Sequence, residues 1–307
     1  MTTPQQAPLF AASLIVAASL LIAATTLLAK SLGTDALGQN LHPLQITHSR
    51  FLFAWLGIVT ITIIMRPKFT RPNWVWHGSR SACGFAGVTL MFASVAYIPL
   101  SDATAISFLN PVFAMLLAIP LLGERIGRWR VLATLLAFAG ALILTRPGQG
   151  TMEPAALLAL AAAAIMGLEL IFIKKLTGVE RPLQILLLNN TIGLAIASSV
   201  VWPVFQWPNA EQWAALIGLG LCMAVAQAFF VNAMARADAS FVGPFSYSTL
   251  IFAAVYDMFI FDVIPDQVSV IGAATIIAGA VLLAWREGVR RATSGERRAA
   301  SGVRRDV

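Results

Sequence analysis

The chain has 307 residues, of which 58% are hydrophobic and only 11% charged, against roughly 25% charged in an ordinary soluble domain. That much apolar surface exceeds what a soluble core can bury, which excludes a water-soluble globular enzyme. The net charge of +7 does not imply a nucleic-acid partner, because the basic residues lie between apolar runs and in an Arg-rich tail, where they fit membrane topology.

Runs of about 20 apolar residues, the length that crosses ~30 Å of hydrocarbon, divide the chain into ten predicted spans. The first, roughly Leu9 to Leu28, follows an uncharged tail and is expected to be retained, not cleaved as a signal peptide. Lys30 ends it. The second, Pro43 to Met65, holds His48 and Arg50 and leads into RPKFTRPNWVWHGSR, read as a basic, Trp-rich interfacial loop. The third, Ala82 to Leu100, is followed by ATAISFLNPVFAMLLAIPLLGE, the fourth, Ala103 to Glu124. Pro111 removes an N–H and crowds the carbonyl four residues back, so the fourth span must bend or open there. The fifth, Val131 to Thr145, carries small residues (Ala137, Gly140, Ala141) that allow close helix packing.

The sixth span, Ala155 to Ile173, carries Glu169, and the seventh, Leu183 to Phe205, carries Asn189 and Asn190. The eighth, Ala214 to Ala235, holds Gln227 and Asn232. The ninth, Ser240 to Ile264, holds Gly243-Pro244, Ser246-Tyr247-Ser248 and Asp257; the tenth runs from Val268 to Trp285. Beyond it the chain is polar and expected to be disordered. Cys83 and Cys222 both sit inside apolar runs, where free cysteine is normally a packing residue. Most of the 21 Lys and Arg fall on one side of this layout, leaving Lys30 and Arg146 opposite and Arg50 within a span. The bias predicts an inner-membrane, multi-pass protein with both termini cytoplasmic.

AYIPLSDATAISFL is echoed by NAMARADASFVGPF, and AGALILTRPG by AGAVLLAWRE. Five spans per copy is an odd number, so the second copy must enter the membrane from the opposite side. The expected fold is therefore an all-α membrane protein, with ten transmembrane helices in two inverted five-helix repeats around a central cavity. The expected units are residues 1–148, residues 149–286 and a basic cytoplasmic tail, 287–307. Inverted repeats give a transporter two conformations, one open to each side.

With Arg50 opening RFLFA, ISFLNPVFAMLLAIPLLGE in the fourth span and FVGPFSYSTLIFAAVYDMFIFDVIPD in the ninth, the chain resembles the EamA-like branch of the drug/metabolite transporter superfamily over about residues 8 to 286. Counting back from Asp262, Thr249 stands where the first half has Pro111, and Asp262 stands where it has Glu124. The resemblance implies a cavity lined mainly by the first, third, fourth, sixth, eighth and ninth spans, with the fifth and tenth outside. It also implies cavity positions for Asn110, Pro111, Glu169, Gln227 and the Tyr247 region.

Asp257 is the leading candidate, since a lipid-facing carboxylate in a span costs at least ~2.5–3.5 kcal/mol. On a 3.6-residue period it shares a face with Gly243, Tyr247, Leu250 and Ala254. It would bind a cation, relay a proton, or form an ion pair that orients helices. Arg50, at a similar depth of ~10 Å, is its candidate partner and is itself a candidate substrate- or ion-binding residue. Glu169 would snorkel to the interface or project into the cavity. His48 is read as a hydrogen-bonded packing residue. Asn110, Gln227, Ser246 and Tyr247, with Asn232 and Ser248, would either hydrogen-bond a polar solute or tie helices together. Glu124 and Asp262 are expected as end anchors or gate contacts. Pro111, Pro120, Gly243 and Pro244 are expected as hinges or static kinks.

No Gly-rich phosphate loop, zinc spacing or nucleophile elbow is present in the sequence, so no catalytic residue, metal or cofactor is expected. The predicted function is secondary transport of a small organic metabolite by alternating access. The solute classes are an amino acid, a riboflavin-like vitamin, a nucleoside-like solute or a drug. Either a proton gradient or the solute's own gradient would drive it. Sparse intramembrane charge favours a neutral or zwitterionic, partly aromatic solute. The competing classes are an intramembrane lipid-modifying enzyme and a non-transporting membrane partner protein.

Overall fold

The computed structural model describes residues 8–122, 154–177, 179–234 and 248–279, with isolated positions in 132–143 and 281–282. Among them every regular element is a helix. The first half forms α1 (Pro8–Gly33), α2 (Pro43–Met65), α3 (Trp74–Val95), α4 (Leu100–Ser107) and α5 (Asn110–Leu122). The second forms α6 (Pro154–Thr177), α7 (Pro182–Val200), α8 (Ala210–Met234), α9 (Ser248–Ile260) and α10 (Gln267–Gly279). Of these, α1, α2, α6, α7 and α8 are long and apolar enough to cross a membrane.

Local chemistry explains the boundaries. The His42 side chain accepts the Leu44 N–H and Pro43 occupies the first turn, so α2 starts where expected. It stops at Arg66, which turns left-handed at φ 42°. Asn73 caps α3 by accepting the Trp76 N–H at 3.3 Å. The third span therefore starts eight residues before the expected Ala82. Trp74, Trp76 and Arg80 are helical, not loop residues, and Arg80 is buried. The first span likewise runs on to Gly33, which puts Lys30 inside the bundle instead of at its edge.

The proline break occurs as its chemistry requires. The fourth span is two helices, α4 ending at Ser107, four residues before Pro111, and α5 starting at Asn110. Between them Phe108 and Leu109 make tight turns, with the Leu109 N–H donating to the Ile106 carbonyl at 3.0 Å.

The strongest packing pairs α3 with α6 and α1 with α8. Further contacts join α2 to α7 and α8, α3 to α7, α1 to α9, and α6 to both α4 and α5. Exchange the halves and this list maps onto itself: α3–α6 becomes α8–α1, α2–α8 becomes α7–α3, and α1–α9 becomes α6 against α4 and α5. The sequence carries the same relation in Pro43-Leu44-Gln45-Ile46 and Pro182-Leu183-Gln184-Ile185.

The paired helices α2 and α7 run antiparallel. His48 bonds Ser198 at 3.2 Å and Trp55 donates to Thr191 at 3.0 Å, stepping in opposite directions. The repeated glutamines close the two ends of this pair in the same way. Gln45 donates to the Gln206 carbonyl at 2.6 Å and accepts its N–H at 2.9 Å. At the other end Gln184 donates to the Thr70 carbonyl at 2.9 Å and accepts its N–H at 2.8 Å. Each side chain replaces a missing backbone partner in a connection that no helix satisfies.

Close approach of α3 and α6 depends on small residues. A Cβ on Gly87 would lie 2.6 Å from the Met166 side chain, and one on Gly84 would lie 3.1 Å from the Glu169 carboxylate. A Cβ on Gly140 in the fifth span would come 2.7 Å from the Gly272 carbonyl of α10, so the expected small-residue packing there is observed.

Candidate functional site

The buried charges collect at opposite ends of the bundle. Lys30 in the last turn of α1 donates to Asp257 in the last turn of α9 at 2.7 Å. Asp257 is fully buried, and the Lys30 ammonium also lies 4.3 Å from the Phe261 ring centroid. The α9 face bearing Thr249, Leu250, Ala253 and Asp257 is buried, while Ile251 and Phe259 are exposed. Asp257 thus points inward, as the periodicity predicts, but the expected Arg50 pairing is corrected. The face holding Asp257 packs on α1 and α4, and the cation there is Lys30.

At the other end, Arg80 of α3 faces Glu169 of α6, with Nε 3.6 Å from Oε1. Its Nη1 donates to the Ile185 carbonyl of α7 at 3.1 Å. Arg50 lies within electrostatic reach of both Glu169 and Arg80. Its guanidinium stacks 4.7 Å from the Phe51 ring centroid, and its buried Nε has no hydrogen-bond partner among the described residues. Glu169 therefore belongs to a cluster of two guanidiniums and one carboxylate; it does not snorkel away.

Beyond this cluster, His77 Nε2 lies 2.9 Å from Glu180 between α6 and α7. Glu180 also accepts the Asn73 N–H at 3.0 Å and the Gln184 amide at 2.7 Å. Burial alone would push the Glu180 carboxyl up, but these three donors together hold it below its ordinary value of 4.5. A depressed carboxyl contributes its full stability above the unfolded value and loses it as pH falls through the folded one. Acidification below about 4.5 should therefore lower the melting temperature of the wild type more steeply than that of Glu180→Gln, measured by dye-free thermal unfolding in detergent.

The other expected residues divide. Asn110 is half-buried in the first turn of α5, its carbonyl 2.7 Å from where a Cβ would stand on Gly167 of α6. Pro111 lies at the observed break, and Pro120 lies within helical α5. Gln227 is half-buried in α8, and its carbonyl oxygen is buried without a partner. Asp262 is exposed and left-handed at φ 53°, so it terminates α9 at the bundle surface. His48 bonds Ser198, as a packing histidine would. Ser246, Tyr247, Gly243, Pro244 and Glu124 lie outside the described residues.

Two functional candidates escaped sequence reasoning, Lys30 and Arg80. A signal for Lys30 existed: Lys30 and Glu169 stand at the same distance ahead of Pro43 and Pro182 in the repeated motif. They are equivalent positions of opposite charge.

A family model described as the EamA-like transporter family matches the chain twice, over residues 9–146 and 153–285. A riboflavin transporter of Rhizobium johnstonii is 34% identical over 228 residues, covering 72% of this chain and 74% of its own. An S-adenosylmethionine uptake transporter of Rickettsia prowazekii is 26% identical over 254 residues, covering 82% of this chain and 86% of its own. One solved structure, of a protein named without a function, superposes with a TM-score of 0.62 at 20% identity and covers 88% of this chain and 96% of its own. The chain belongs to the EamA-like transporter family.

Proposed function

We propose that this transporter moves a small organic metabolite across the inner membrane by alternating access, with the two buried ion-pair clusters as its end closures. The observation that carries the reading is the placement of Lys30–Asp257 and Glu169–Arg80 at opposite ends of the bundle, on equivalent positions of α1 and α6. A carrier must close each end in turn, and a pair that forms or parts as helices rock supplies two discrete states.

In this reading the halves are two inverted five-helix repeats, residues 1–148 and 149–286, around a central cavity. With both termini cytoplasmic, the Lys30–Asp257 end faces outward and the Glu169–Arg80 end inward. The break before Pro111 lets α4 and α5 tilt separately, and Asn110 and Gln227 offer neutral hydrogen bonds to the solute. Riboflavin-like and S-adenosylmethionine-like solutes are the first to test, from the relatives' names. The solute's gradient or a proton gradient supplies the driving force.

The reading is tested by counterflow of labelled riboflavin and S-adenosylmethionine in proteoliposomes. Lys30→Asp and Asp257→Lys should each reduce flux by more than about tenfold, because each buries like charges together. The double swap Lys30→Asp/Asp257→Lys should recover a substantial part of it. If the singles transport as well as the wild type, the pair is no closure.

A further inference from the structure

We propose that Arg50 is the anion-binding residue of the transport site, so that the transported solute carries a carboxylate or phosphate. The proposal rests on the transporter reading and narrows it to a substrate class. Arg50 is 6% exposed, yet among the described residues its side chain makes no hydrogen bond and has no carboxylate within 4.0 Å. The other two buried Lys and Arg among the described residues are matched, Lys30 by Asp257 and Arg80 by Glu169 and the Ile185 carbonyl. A guanidinium withdrawn from water without a partner is costly, and its planar fork matches a carboxylate or phosphate in two parallel hydrogen bonds.

Charge makes the same point. Arg50, Arg80 and Glu169 form one electrostatic cluster, and it sums to a single positive charge. One acid group on the solute neutralises it. The fold does not itself require a cation at this position. Arg50 and Asn189 stand at the same distance past Pro43 and Pro182, so the second half builds the equivalent helix with a neutral amide. Asn189 is satisfied locally, accepting the Ser81 hydroxyl at 3.3 Å. At this position, then, only the first half carries a cation, and it is the residue left unpaired among the described residues. Elsewhere on the helices packed on α2, Asn190 Oδ1 of α7 and Gln227 Oε1 of α8 are also buried with no partner among the described residues. Of the neutral or zwitterionic solutes expected from sparse intramembrane charge, the zwitterion has the acid group that Arg50 would bind, and a solute with no acid group does not.

Matched probes test this on the purified full chain. Riboflavin is compared with riboflavin 5′-phosphate, and S-adenosylmethionine with its carboxyl methyl ester, by binding in detergent and by uptake in liposomes. The acid member of at least one pair should bind at least about tenfold tighter than its acid-free partner, the range of a charge-assisted hydrogen bond. The phosphate pair and the carboxylate pair tell which acid is read. In Arg50→Gln the preference should collapse while the riboflavin affinity stays, and Arg50→Lys should keep part of it. Arg50→Gln should also melt at or above the wild-type temperature, because no partner is stranded; a structural arginine would instead destabilise when removed. A preference that survives Arg50→Gln, or no acid probe binding, overturns the proposal. Acid binding lost in Arg50→Gln without uptake by the wild type would keep the site and reject the transporter reading. Uptake that ignores Arg50 would do the reverse.

Discussion

Arg80→Ala should be among the most destabilising single substitutions in the described bundle, by about 3–5 kcal/mol, the range for stranding one member of a buried ion pair. Arg80 ties three helices, taking Glu169 from α6 and the Ile185 carbonyl from α7 while rooted in α3. Without it the Glu169 carboxylate stays wedged over Gly84, where a Cβ would already lie 3.1 Å away. The Ile185 carbonyl loses its side-chain donor as well. Neutralising both sides behaves differently, because neither member of the Arg80–Glu169 pair is then stranded and only Arg50 stays charged in the cluster. Arg80→Met/Glu169→Gln should recover part of the loss. Unfolding midpoints in a mixed-detergent titration decide it: equal losses in the single and double variants would show that Arg80 acts through packing alone.

How much of this was legible in the sequence follows from the range of the interactions involved. Local chemistry reads well. Pro43 after His42 sets the start of α2, Pro111 sets the break between α4 and α5, and the helical period turns Asp257 inward. Interactions between distant segments read poorly. Lys30 looked like a span end, because a lone lysine after an apolar run usually marks the interface. Burial of its ammonium depends on α9 packing against α1 more than two hundred residues away in the chain. Arg80 was lost in a basic, Trp-rich stretch with an interfacial composition, although Asn73 three residues before Trp76 was a capping signal. Equal depth suggested Arg50 for Asp257, but depth says nothing about azimuth around the bundle. The repeated Pro-Leu-Gln-Ile motif supplies the missing register, since it makes Lys30 the counterpart of Glu169 and Arg50 the counterpart of Asn189.

That register carries the central claim that the two ends open in turn. Tethering the Lys30–Asp257 end should therefore stop transport entirely, a larger effect on flux than any loss of one hydrogen bond. Lys30 and Asp257 have their charged atoms 2.7 Å apart in the closed pair, so cysteines at these positions lie within reach of a short bifunctional thiol reagent. Such a bridge leaves the Glu169–Arg80 end free and does not touch Arg50. Cys83 and Cys222 are both free thiols and must first be replaced by alanine. If rocking alone mattered, and not opening at this end, a flexible tether would be tolerated.

The decisive measurement is counterflow by the Lys30→Cys/Asp257→Cys variant in proteoliposomes, before bridging, after bridging with a bifunctional methanethiosulfonate, and after reduction. Alternating closure predicts residual flux before bridging, none above empty liposomes after it, and full return to the starting rate on reduction. Undiminished flux through a quantitatively bridged protein would contradict it.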